Sequence, residues 1–174
     1  MKTILITGAT SGIGLATAKK LANEKNQLIL CGRRQHKLDE ISNEISKITN
    51  VLPLRFDVSD KEQVNKVLEN VPKEFSYIDI LINNAGNAHG LDTIQEGSLD
   101  DWDNMFDSNV KGLLYVSRVI MPKMIENKNG HIINIGSLAG REVYEKGNIY
   151  CATKHAVNAI SKAMRVDLNK IGIK

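Results

Sequence analysis

Tyr150 and Lys154 frame the run Tyr150-Cys151-Ala152-Thr153-Lys154, a spacing of four that puts both side chains on one face of a helix. A phenol with a reference pKa of about 10 is a poor base at neutral pH, but an ammonium beside it favours the phenolate. Such a pair can hand a proton to the alkoxide that develops as a carbonyl is reduced, or take one from an alcohol in reverse. A second account fits the same pattern. Tyr150, Lys154, Val157, Ser161, Met164 and Leu168 share one stripe, along which a lysine can snorkel. Two more polar residues could join the pair. Ser137 ends the run Asn134-Ile135-Gly136-Ser137, where its hydroxyl could hold a substrate oxygen. Asn109 interrupts an apolar stripe of Trp102, Phe106, Leu113, Val116 and Ile120. A buried amide without partners costs about 1–3 kcal/mol, so Asn109 must hold backbone, water or another side chain. Bracing a kinked helix would meet that demand as well as catalysis would.

Phosphate chemistry is suggested at the other end of the chain. Thr7-Gly8-Ala9-Thr10-Ser11-Gly12-Ile13-Gly14 spaces its glycines as GxxxGxG between an apolar run and an amphipathic one. Gly8 permits a tight turn, Gly12 lets backbone approach a pyrophosphate, and Gly14 lets the next helix pack closely, its N-terminal N–H groups facing the anion. A plain flexible turn would use the same glycines, but the position after a first strand favours phosphate. After the second apolar run, Cys31-Gly32-Arg33-Arg34-Gln35 offers no carboxylate for ribose hydroxyls. Two arginines at a helix start oppose its dipole, a conflict that a 2′-phosphate would relieve, which points to NADP; two solvated arginines are the alternative. In Phe56-Asp57-Val58-Ser59-Asp60, Ser59 or Asp60 suffices as a helix cap, leaving Asp57 and Val58 for the nucleotide, with Asp57 able to accept from an adenine amino group. In Asn83-Asn84-Ala85-Gly86, Asn83 suits bracing of central strands, and Asn84, Ala85 and Gly86 suit a cofactor ribose.

These residues need a frame that brings distant segments to one edge. Periodicity predicts strands over residues 2–7, 27–31, 51–55, 77–82 and 131–135. It predicts helices over 11–24, 35–47, 61–70, 98–125 and 148–171, the fourth opened by a Ser98/Asp101 capping box and kinked at Pro122. Strict alternation implies parallel strands with helices on both faces, a doubly wound α/β sheet. Ligands of such sheets sit beyond the carboxyl ends of the strands, where every candidate above falls. With 174 residues, 42% of them hydrophobic, the chain fits a single nucleotide-binding domain. A net charge of +3, with acids and bases interspersed, gives no reason to expect a nucleic-acid or membrane partner. Cys31, Cys151, His36, His89, His131 and His155 show no ligand spacing, so no metal site is expected. No apolar run has membrane or signal-peptide length, and a reducing, cytoplasmic location is expected.

Thr7-Gly8-x-x-x-Gly12-x-Gly14, Asn83-Asn84-Ala85-Gly86, Asn109, Ser137 and Tyr150-x-x-x-Lys154 stand in the order and spacing of the short-chain dehydrogenase/reductase family, which the chain resembles along its whole length. The resemblance implies a Rossmann-type sheet of strand order 3-2-1-4-5. It implies an NADPH-linked oxidoreductase acting on a small-molecule carbonyl or alcohol. In that reading Tyr150 is the catalytic acid/base, and Lys154 favours its phenolate and binds the nicotinamide ribose. Ser137 orients the substrate carbonyl, and Asn109 holds a water of a proton relay. Arg33 and Arg34 look like the 2′-phosphate site of NADP-preferring members. Thr153 stands where many members have Ser.

Residues 78–90, 100–118 and 130–140 are most similar to the NADP-dependent 3-hydroxy acid or serine dehydrogenase branch, which acts on 3-hydroxy acids, L-serine or allo-threonine, and malonic semialdehyde. The 3-oxoacyl-carrier-protein reductases and polyol dehydrogenases share the core motifs. Members of the family continue past the point matching Lys174 into a sixth strand, a Pro-Gly loop, a substrate-covering segment and a seventh strand. The chain is therefore expected to lack those strands and to leave its fifth strand an exposed edge or short of a neighbour. A remnant that at most binds nucleotide is the alternative to an active enzyme. Members commonly associate through the two long helices that here carry Asn109 and Tyr150, so a full-length form is expected to be a homo-oligomer.

Overall fold

Five short apolar runs form the strands β1 (Lys2–Thr7), β2 (Asn26–Gly32), β3 (Val51–Arg55), β4 (Ile80–Asn83) and β5 (His131–Asn134). In the computed structural model, which describes residues 1–174, they make one parallel sheet in the order β3-β2-β1-β4-β5. The helices are α1 (Gly12–Leu21), α2 (Gln35–Ile45), α3 (Lys61–Glu69), α4 (Leu99–Phe106), α5 (Leu113–Glu126) and α6 (Asn148–Leu168). The two-residue period of the strands decides the layers. Ile4, Ile6, Leu28, Leu30 and Ile82 pack with Ala18, Leu38, Ile41 and Ile45 of α1 and α2. Leu5, Ile29 and Leu81 point the other way, joining Val64 and Leu68 of α3 and Val116, Ile120 and Met124 of α5. The result is the expected Rossmann-type sheet. Strand order reverses between β1 and β4, and the crevice opens there.

Three departures from expectation have physical causes. The predicted fourth strand, residues 77–82, starts only at Ile80, because Lys73–Phe75 wind into a 3-10 turn just upstream. The predicted helix over 98–125 starts as expected, with Ser98 Oγ accepting from the Asp101 amide at 3.3 Å. Its irregularity is not at Pro122, which α5 accommodates, but in a π turn over Asp107–Gly112. A π turn carries one residue more than an α turn and commonly marks a position held from outside the helix; here that position is Asn109. The edge of β5 is partly covered. Gly130 bridges Ile173 in parallel, Ile132 N–H donates to the Lys174 carbonyl at 2.7 Å, and Lys174 N–H donates to the Gly130 carbonyl at 3.0 Å. Burial of Ile173 in the α3/α5 layer drives this pairing, so the expected bare edge is replaced by two residues of chain beside β5. On the opposite edge β3 pairs only with β2, which is why it tolerates Pro53.

Candidate active site

The carboxyl ends of the strands open onto a cleft of about 590 Å³. Its first wall is the loop from β1 to α1, where Gly8 and Gly12 take φ of 65° and 53°, a region that favours glycine. A Cβ on Gly14 would collide with the Gly8 carbonyl and the Asn84 side chain, so Gly14 lets α1 close onto its own loop. A Cβ on Gly12 would meet nothing within 4 Å, leaving open space beside the loop. Ser11, the N-cap of α1, makes no side-chain cap bond, and the first turn keeps its donors free for an anion. Thr10, Ser11, Gly12 and Ile13 line the cleft with Gly8. Two members of the expected set support it from behind instead: Ala9 is fully buried with its N–H on the Cys31 carbonyl at 3.0 Å, and Gly14 is buried in α1.

The second wall is charged. Arg34 Nη2 donates to Thr10 Oγ1 at 2.8 Å and Ser11 Oγ at 3.0 Å, tying the guanidinium to the glycine loop. Arg33 Nη1 lies 3.3 Å from Asp57 Oδ2. Partial burial pushes the Asp57 carboxyl up, but the Ser59 hydroxyl and amide at 2.7 and 3.0 Å and the Arg33 charge outweigh it, so its pKa sits below the ordinary value. Asp57 is thus a carboxylate already engaged by Ser59 and Arg33, which takes up much of the capacity expected for an adenine amino group. The cap of α3 is Asp60, accepting from the Glu62 and Gln63 amides at 3.0 Å each. Val58 lines the cleft.

The loop after β4 forms the floor. Asn84 Nδ2 donates to the carbonyls of Thr7 at 2.9 Å and Gly8 at 3.2 Å, and the Asn84 and Ala85 amides both donate to Thr7 Oγ1 at 3.0 Å. The Asn84 side-chain nitrogen thus joins two loops, and residues 84–86 line the cleft around that brace. Asn83 braces the sheet as expected, donating to Ser117 Oγ at 3.0 Å and Asn134 Oδ1 at 2.9 Å.

Tyr150 and Lys154 complete the cleft from α6. Lys154 is only 8% exposed, its Nζ donates to the Ile135 carbonyl at 2.9 Å, and it lies 5.9 Å from the centroid of the Tyr150 ring. Burial lowers its pKa from the ordinary lysine value. The pair expected from spacing is thus assembled, with the cation held by backbone beside the phenol.

Asn109 lies behind them, 2% exposed. Its Oδ1 accepts from the Asn87 amide at 2.7 Å; its Nδ2 donates to the Asn87 carbonyl at 2.8 Å and Thr153 Oγ1 at 3.1 Å. Both protons of the amide nitrogen are used, and the oxygen accepts the Asn87 N–H. Asn109 thus braces the Asn87 backbone and α6 at once, the bracing that a buried amide demands. Ser137 is exposed and caps the 3-10 turn Leu138–Gly140, accepting from the Ala139 amide at 3.1 Å. It stands at the end of β5 next to Gly136, which lines the cleft, but is not itself part of that lining.

On the far side of Tyr150 a second cavity of about 470 Å³ opens. Trp102 closes it by packing on Gly97, and Tyr144 by packing on Gly147. Nothing in the local spacing of the sequence marks this cavity, nor Asn87 and Thr153 as partners of Asn109. Thr7 was visible at the head of the glycine motif, though not its role as acceptor. No group of three or more His, Cys, Asp or Glu side chains is placed to hold a metal ion, and no helix is long and apolar enough to cross a membrane.

The short chain dehydrogenase family model matches residues 2–174. The NADP-dependent 3-hydroxy acid dehydrogenase YdfG of Escherichia coli is 40% identical over 171 residues, covering 98% of this chain and 68% of that protein. The NADP-dependent 3-hydroxy acid dehydrogenase of Schizosaccharomyces pombe is 46% identical over 167 residues, covering 94% of this chain and 64% of that protein. Among solved structures, the closed form of serine dehydrogenase complexed with NADP+ superposes with a TM-score of 0.95 at 39% identity, covering 99% of this chain and 68% of that one. The chain thus spans about two thirds of the length of these curated relatives. The likeness runs through every segment that builds the cleft, from the loop after β1 to α6, and the chain belongs to the short-chain dehydrogenase family.

Proposed function

We propose that the protein is an NADP-dependent oxidoreductase that moves hydride between the nicotinamide and a small hydroxy acid or oxo acid, of the 3-hydroxy acid, serine or malonic semialdehyde type. One observation carries the reading: a single cleft has the glycine loop and two guanidinium groups at one end and the Tyr150–Lys154 pair at the other. Residues 1–174 serve in it as one nucleotide-binding domain. The names of the relatives above support the choice of cofactor and of substrate class.

The residues present fit the cofactor. Free donors at the start of α1 and the open space at Gly12 suit a pyrophosphate. Arg33 and Arg34, with no carboxylate at the end of β2, suit a 2′-phosphate. Residues 84–86, Tyr150 and Lys154 would hold the nicotinamide ribose. NADPH, when bound, supplies the hydride. Tyr150 gives its phenolic proton to the substrate oxygen as the carbonyl is reduced and recovers it in the alcohol direction. Lys154, buried and anchored on the Ile135 carbonyl, places its amino group beside the ring. Ser137, exposed at the end of β5, orients the substrate oxygen.

Loss of NADPH absorbance with malonic semialdehyde tests this directly. Turnover is expected with NADPH well ahead of NADH. Turnover confined to 3-oxoacyl thioesters would reassign the substrate, and none with any carbonyl would overturn the reading.

A further inference from the structure

We propose that Thr153 is a positioning residue of this site, and that its hydroxyl sets how α6 sits on the floor of the cleft. The proposal rests on the acid/base reading of Tyr150 and Lys154. Thr153 lies between them on α6 and is completely buried. Its Oγ1 donates to the Tyr150 carbonyl at 2.8 Å, the i−3 bond open to a helical threonine. That bond uses its single proton and leaves a lone pair, which accepts from Asn109 Nδ2 at 3.1 Å.

The consequence passes through Asn109. The amide has two ends of similar shape but opposite polarity, and only one orientation serves Asn87, whose N–H needs the oxygen and whose carbonyl needs the nitrogen. In the opposite orientation Asn109 would present its oxygen to Thr153, whose proton is already committed to Tyr150. Thr153 therefore selects the amide orientation that clasps the backbone of Asn87, the residue after Gly86. Gly86 in turn leaves no room for a Cβ: one built there would be 2.9 Å from Asn109 Oδ1 and 3.9 Å from Lys154 Nζ. One hydroxyl thus links the carbonyl of Tyr150, the π turn and the loop under the cofactor cleft. A methyl in place of the hydroxyl would fill the same volume but leave one of the two Asn109 Nδ2 protons without a partner in a buried site.

Thr153→Val, Thr153→Ser and the wild type decide the matter. In Thr153→Val, kcat is expected to fall about tenfold to a hundredfold through misplacement of Tyr150, with KM for NADPH changed less than about threefold. The pH profile of kcat should shift as well. Thr153→Ser, which keeps the hydroxyl, should restore both. Protection of the Asn87 amide against hydrogen exchange should drop in Thr153→Val and persist in Thr153→Ser, whether or not any substrate turns over. This separates failure of the positioning role from failure of the proposed function. If Thr153→Val does not fold, Thr153→Ala removes the same hydroxyl without adding bulk and is read in the same way. Wild-type kcat and Asn87 protection in a hydroxyl-less variant, or equal damage in Thr153→Ser and Thr153→Val, would overturn the proposal.

Discussion

The two ends of the cleft are built on different principles. Around β1 to β3 the groups that face a ligand are backbone donors, glycines and exposed guanidinium groups, and crowding is relieved by leaving side chains out. Around β4, β5 and α6 side chains join the backbone in facing a ligand, and hydrogen bonds from behind hold the supports: Lys154 by the Ile135 carbonyl, the Asn87 loop by Asn109, Asn109 by Thr153. An anion-binding end needs many weakly oriented donors. A proton-transfer end needs a few groups placed to a fraction of an ångström. The comparison implies that damage to the first end should register in affinity, and damage to the second in rate.

The largest separation is expected from Tyr150→Phe, which keeps the ring and removes the transferable proton. Turnover should fall by at least about a hundredfold while NADPH binding, followed by its fluorescence, stays within a few-fold of wild type. A fully active variant would remove Tyr150 from the mechanism. Gly14→Ala should break the other end through structure. Its Cβ runs into the Gly8 carbonyl and Asn84, so the loop must shift, with loss of about 1–3 kcal/mol in chemical unfolding and weakened nucleotide binding.

A finer test of the anion-binding end is Arg33→Ala combined with Arg34→Ala. Each lost bond to a charged group is worth about 1.5–3 kcal/mol, so the Kd for NADPH should rise at least about tenfold while that for NADH barely moves. Equal effects on both would remove the phosphate assignment.

The smallest effect concerns stability and pH. Burial depresses the pKa of Lys154, so folding is penalised where the lysine is charged in both states. That penalty is present at neutral pH and is lifted as pH rises through the folded pKa toward the unfolded value of 10.5. Lys154→Met, though it should abolish turnover, is therefore expected to melt no lower than wild type at neutral pH, its advantage shrinking as pH rises toward the ordinary lysine range. A variant that melts far lower at neutral pH would mean that the bond to the Ile135 carbonyl outweighs desolvation.

The same contrast explains what could be read from the chain before its structure. The glycine loop, the arginine pair and the Tyr150–Lys154 spacing are local patterns, and each falls where periodicity put it, because strand-end geometry follows from residues next to one another. The supports of the reactive end are not local. Asn109 finds Asn87 across 22 residues and Thr153 across 44, and neither separation leaves a mark in spacing. For that reason Asn109 is legible as a buried amide needing partners, and the partners themselves are not. The π turn surrounds Asn109, whose partners are distant in sequence, whereas Pro122 is the only cause of a kink that is visible locally. The brace that Asn84 makes is equally invisible in spacing: the crossing of β4 beside β1 brings the Thr7 and Gly8 carbonyls to its side-chain nitrogen. The pairing of Ile173 and Lys174 with β5 likewise depends on where α6 delivers the chain.

The central claim is that this one cleft delivers hydride next to Tyr150. NADPH deuterated at the transferred position, incubated with the protein and malonic semialdehyde, tests it most directly. Magnetic resonance of the product should show deuterium on the new carbinol carbon. NADPH that binds tightly yet leaves no deuterium in any hydroxy acid product would contradict the account.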